Sequence, residues 1–251
     1  MRSSNPVLGE KTFIRFVEEG PAPNTNTNTM TLPGVINKTT LLFLLLVAVA
    51  TVTWFQAANN PESVINLVTV GSVLGFIVAM VTVFKPEWSP FTSPAYAMLE
   101  GLVLGGISAF FEMLYPGIVM QAVGCTFGTM FCLLAAYRSG LVQATENLKL
   151  MVVSATGGIL LLYLVSFGLR LFTSYSIPFI HEGGVWGIAF SLFVVGIAAL
   201  NLVLDFDFIE NGVEAGAPKF MEWYAAFGLM VTLIWLYLEI LKLLGKSRSR
   251  S

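Results

Sequence analysis

Charge is what this sequence has least of. Only 11% of its 251 residues are Asp, Glu, Lys or Arg, far below the roughly 25% usual in soluble domains, and 56% are hydrophobic. A water-soluble globular domain is therefore not expected. An excess of basic residues is missing as well. Thirteen Lys and Arg stand against 15 Asp and Glu, for a net charge of −2, and the only short basic run is the closing "KSRSRS", which suits lipid headgroups. Nucleic acid is not an expected partner.

Histidine and cysteine are scarce too. His181 is the single histidine, so a histidine-based metal site would have no second imidazole, and it reads as a loop residue. Cys125 and Cys132 lie seven residues apart in one apolar run. That spacing puts them on one helical face about 10 Å apart, too far for a disulfide. HExxH, GxSxG and Walker A motifs are absent, as are the YD and GxGD motifs of intramembrane aspartyl proteases. The chain is not expected to be an enzyme, and no cofactor is expected.

What the sequence has in quantity is long apolar runs. Seven of them, at about 39–57, 64–84, 95–113, 117–136, 150–173, 185–207 and 223–244, meet the requirement of about 20 residues per bilayer crossing. They do not alternate as barrel strands do. Turn-rich stretches separate them, such as "NNPES", "KPEWSPFTSP", "YPG" and "ENGVEAGAP". The expectation is an all-α membrane protein, a seven-transmembrane-helix bundle over 39–244. The preceding tail, 1–38, combines an amphipathic stretch around Phe13 and Phe16, suited to the interface, with a Pro, Asn and Thr linker. A basic tail over 245–251 follows. The first 38 residues lack the apolar core of a signal peptide, so insertion is expected to use the first helix.

Counting Lys and Arg on each side favours a cytoplasmic N-terminus. That orientation puts Arg2, Lys11, Arg15, Lys38, Lys85, Arg138, Lys149 and Lys219 inside, and Arg170, Lys242, Lys246, Arg248 and Arg250 outside. Gly101 and Gly105 form one GxxxG and Gly124 and Gly128 another; both are read as close-packing devices between helices.

Ionisable residues inside spans are costly and mark candidate functional sites. There are six: Glu100, Glu112, Asp205, Asp207, Glu222 and Glu239. No Lys or Arg is expected deep in a span to neutralise them. With the N-terminus inside, Glu100, Asp205, Asp207 and Glu222 fall toward the cytoplasmic side and Glu112 and Glu239 toward the other, leaving an uncharged middle layer. Asp205 stands one turn beyond Asn201 and is expected to face the interior. Asp207, about 200° around the helix from it, is expected to reach the headgroups. On the last span Ala225, Gly228, Thr232, Trp235 and Glu239 recur at spacings of three and four, and Glu222 begins the same helix. Two carboxylates brought together in low dielectric cannot both ionise cheaply and tend to share a proton. Asp205 and Glu222 are the pair expected to act so. Oxygen ligands of this kind suit Ca²⁺ or a proton rather than zinc or copper.

The stretches "AMLEGLVLGGIS" before "YPGIV", "LDFDFIE" closing the sixth span, and "AFGLMVTLIWLYLEILKLLG" in the seventh together resemble the Bax inhibitor motif family of membrane proteins, in its bacterial branch. The resemblance covers about residues 35–245. It implies a bundle with the last helix central and a pH-sensitive Ca²⁺ leak controlled by aspartates on the sixth and seventh helices, in a bacterial plasma membrane. Asp205 matches the sixth-helix aspartate. The seventh-helix position falls on Thr232 in one register and Glu239 in another, and Glu222 is the candidate partner from depth alone. A non-transporting regulator that binds a membrane protease or a stress-response partner is the alternative.

Overall fold

Thr31 starts the first helix earlier than its polar beginning suggests. In the computed structural model, which describes residues 29–173 and 184–249, the Gly34 amide donates to Thr31 Oγ1 at 3.1 Å and Pro33 occupies the first turn. A capped first turn with proline where no donor is needed lets the helix absorb Asn37, Lys38 and Thr39. Helix α1 therefore runs Leu32–Asn59 rather than from 39.

The remaining helices are α2 (Pro61–Phe84), α3 (Ser89–Leu114), α4 (Ile118–Arg138), α5 (Glu146–Thr173), α6 (Val185–Glu214) and α7 (Met221–Arg248). "KPEWSPFTSP", read as a turn, is a 3-10 turn at Pro86–Trp88 followed directly by α3, which carries Pro94 within it. Helices α6 and α7 also outrun their expected ends. Seven helices among the described residues are long and apolar enough to cross a membrane, and no strand occurs among those residues. The expected interfacial helix near Phe13, its linker up to residue 28, and His181 lie outside the described residues.

The chain forms two units by contact. Among the described residues one holds 29–114 and 207–231, hence α1–α3, the end of α6 and the start of α7. Within it α1 and α2 both pack on α3. Gly101 and Gly105 make that approach close: a Cβ on Gly101 would stand 2.7 Å from Leu46 O, and one on Gly105 would meet Ala50 O. Any larger residue would push the helices apart. Ala57, Val64 and Ala109 are buried beside this seam, with Trp54 and Val68 against them.

Among the described residues the second unit holds 115–173, 184–206 and 232–249, hence α4, α5, most of α6 and the C-terminal part of α7. Its core is Ile159, Val194 and Ile197, covered by Ala155, Tyr163, Phe190 and Trp235. The second GxxxG behaves differently from the first: a Cβ on Gly124 or Gly128 would meet nothing within 4 Å. These glycines do not build the packing expected of them.

Helix α7 has the largest buried share of any span, 61% of its apolar window against 17% for α1. A helix apolar on nearly every side is stable only when covered. Hydroxyls in the spans turn back on their own helices, as Thr51 does to Val47 O and Thr126 to Ala122 O, both at 2.8 Å. That keeps donors satisfied where no water can serve them.

Candidate functional site

Asp205 is fully buried, at 0% exposure, on the membrane-length helix α6. One turn earlier Asn201, 2% exposed, donates through Nδ2 to Thr156 Oγ1 on α5 and to Ile197 O, both at 2.9 Å. The asparagine is thereby fixed, and the polar stripe Asn201–Asp205 lies inside the unit rather than toward lipid. Asp207 is half-buried and its backbone carbonyl accepts from Asn211 Nδ2 at 2.6 Å; Glu210 is exposed. Thr232 on α7 is buried at 3%.

Glu239 is 2% exposed, and its Oε1 accepts from Tyr163 Oη at 3.1 Å and pairs with Lys242 at 2.6 Å. Lys242 also lies over the Tyr163 ring, 5.1 Å from its centre. One turn further Lys246 donates to Ser191 Oγ at 2.8 Å and to Gly187 O at 3.2 Å. The C-terminal part of α7 is thus tied to α5 through Tyr163, which meets both Glu239 and Lys242, and to α6 through Lys246.

Glu222, in the other unit, is a second fully buried carboxylate. Its Oε1 accepts from the Thr31 amide at 2.9 Å and from Thr31 Oγ1 at 2.8 Å, and pairs with Lys219 at 3.2 Å; its Oε2 pairs with Lys38. The group sits at the start of α1, where helix N-termini favour negative charge. Gly34 leaves room for it, since a Cβ there would overlap the Glu222 carboxylate and oblige it to shift. The backbone nearby is tied as well: Met30 N donates to Ala217 O at 2.7 Å, and Ser89 Oγ to Phe220 O at 3.1 Å.

No Lys or Arg was expected deep in a span, yet lysines at or near helix ends reach Glu222 and Glu239. Two of the lysines stood within sight in the sequence, because Lys219 and Lys242 are each three residues from their acid, a spacing that brings helical side chains together. Lys38 carried no such signal. It meets Glu222 because α1 starts at Leu32, ahead of the apolar run. Thr156 and Tyr163 were missed as well; their spacing of seven on α5 puts both on one face.

Glu100 is half-buried and in hydrogen-bond contact with Tyr96, one turn away. Its Oε1 would lie 3.3 Å from a Cβ on Gly75. Glu112, near the end of α3, is half-buried. Among the described residues no group of three or more His, Cys, Asp or Glu side chains converges on a point that could hold a metal ion.

Seven membrane-length helices with carboxylates buried among them define a polytopic helical membrane protein. The family model described as Bax inhibitor 1 like matches residues 5–249, nearly the whole chain, and the chain belongs to that family. No curated protein and no solved structure matches it.

Proposed function

We propose that this protein is a passive cation pathway, with Ca²⁺ as the permeant ion, opened when Asp205 ionises. The observation that supports this reading is the complete burial of Asp205 on a membrane-spanning helix, one turn beyond the fixed Asn201. An aspartate held in low dielectric is tolerated most cheaply as the neutral acid. Ionised, it places negative charge where a cation can enter. Flux therefore rises with pH as Asp205 loses its proton.

Glu239 is the acid at the other end of the same unit in this reading. Glu222 carries a different role from Asp205: its oxygens are taken by Lys38, Lys219 and Thr31, an arrangement that suits anchoring α1 more than binding a permeant ion. The membrane is a bacterial plasma membrane and the N-terminus is cytoplasmic, in keeping with the Lys and Arg count.

Calcium flux into proteoliposomes across a pH series, comparing wild type with Asp205→Asn, tests the proposal. The expected result is flux that climbs with pH in the wild type and is pH-independent in the variant. Folded protein with no flux above empty liposomes at any pH overturns it and leaves the non-transporting regulator.

A further inference from the structure

Three helices of one unit place their polar groups at two levels with an apolar level between. At the first level Thr156 on α5 accepts from Asn201 on α6, with Asp205 one turn beyond. At the other, Tyr163 on α5 meets Glu239 and Lys242 on α7. Between them lie Ile159, Val194 and Ile197, with Trp235 packed against them. The order is the same along each helix: Thr156, Ile159, Tyr163 on α5; Asn201, Ile197, Val194 on α6; Trp235, Glu239 on α7. Thr156 and Tyr163 are seven residues apart, so the two polar levels are separated by about 10 Å.

A hydrated ion cannot enter such a layer without shedding water, and no side chain in this cluster replaces it. Hydrophobic constrictions of this kind close pathways by excluding water. We propose that Trp235, Ile159, Val194 and Ile197 form an apolar plug that separates the Asp205 level from the Glu239 level. In the closed state the plug, rather than the carboxylates alone, stops the ion. This inference rests on the cation-pathway reading and adds to it where the barrier lies. It also gives Lys242 a part: by pairing with Glu239 it keeps the far level from attracting a cation until the plug is wetted.

The test uses Val194→Ser and Ile197→Ser in proteoliposomes, with Ile197→Leu as the conservative control, and reads Ca²⁺ flux at the acidic end of the pH series. One hydroxyl in the layer offers an ion or water a hydrogen-bond partner, so a roughly tenfold rise in acid flux is expected for each serine variant, and none for the leucine. Wild-type flux that depends on pH while the folded serine variants match it overturns the plug and leaves the pathway standing. No flux in wild type and none in the serine variants overturns both. Flux in the serine variants alone supports the plug.

Thiol accessibility supplies a readout independent of flux. With Cys125 and Cys132 replaced by serine, single cysteines at positions 156, 163 and 194 are exposed to a membrane-impermeant thiol reagent. Thr156→Cys is expected to react from one side of the membrane, Tyr163→Cys from the other, and Val194→Cys from neither. Reaction of Val194→Cys as fast as the other two overturns the plug even if every variant unfolds at the same temperature as wild type.

Discussion

Lys38 and Glu222, 184 positions apart in sequence, meet as an ion pair that ties the second turn of α1 to the first turn of α7. Glu222 is fully buried while Lys38 keeps 18% of its side chain exposed and Lys219 48%. The pair is therefore dry at the acid and wet at the bases. Such a contact fixes where a helix begins relative to another more than it adds to total stability.

Removing the charge at that junction has a calculable cost. Glu222→Gln keeps the shape but leaves Lys38 without its carboxylate and weakens the two bonds from Thr31. Solvent access to both lysines reduces the penalty of a fully buried pair, so a loss of about 1–3 kcal/mol is expected. Thermal unfolding in detergent measures it, and an unchanged midpoint would contradict the anchoring role.

The two GxxxG pairs should respond in opposite directions to added bulk. Gly105→Ala drives a methyl into the α1 backbone at Ala50 and is expected to destabilise by about 1–3 kcal/mol. Gly128→Ala meets open space and should gain up to about 1 kcal/mol from helix propensity. Unfolding midpoints for the two variants that shift together, in either direction, would show that the packing asymmetry is absent in the protein.

The Asn201 to Thr156 bond lends itself to a double-mutant cycle with Asn201→Ala and Thr156→Val. Side-chain hydrogen bonds between membrane helices couple by about 0.6 kcal/mol on average, and a value near that is expected. Coupling indistinguishable from zero would mean that Asn201 is not held where the stripe to Asp205 requires.

Breaking the Lys242 contact tests the far level. Lys242→Gln leaves the Glu239 carboxylate at 2% exposure with its hydrogen bond from Tyr163. A loss of about 1–3 kcal/mol is expected, and Tyr163→Phe made in the same background should add to it. If Lys242→Gln unfolds at the wild-type midpoint, the ion pair at this level does not form.

Orientation is open to a direct check. Single cysteines at position 140, between α4 and α5, and at position 116, between α3 and α4, are expected to label from opposite faces in intact cells, with 140 on the cytoplasmic side. Labelling of 140 from outside would reverse the orientation drawn from the Lys and Arg count.

The seven spans were legible because an apolar run of membrane length needs no knowledge of its neighbours. The buried side of α6 at Asp205 followed from the helical period in the same way, whereas Asp207, expected to reach the headgroups, is half-buried. Helix starts were less legible. Residues 32–38 read as polar linker, yet Thr31 supplies a cap and Glu222 supplies a counter-charge, and these make a helical turn of them. The glycine pairs show the same limit: Gly101 with Gly105 and Gly124 with Gly128 are alike in sequence, and only the presence of α1 against the first pair separates them.

The sequence by itself determined that this is a seven-span helical membrane protein of the Bax inhibitor kind. Composition and periodicity are local properties and survive any arrangement of the helices. Which distant group meets Glu222 and which meets Glu239 was decided by the tertiary structure. Lys38 reaches Glu222 and Tyr163 reaches Glu239 across 184 and 76 positions, and the charge state of a buried carboxylate depends on the groups brought within a few ångströms of it, which no reading along the chain contains.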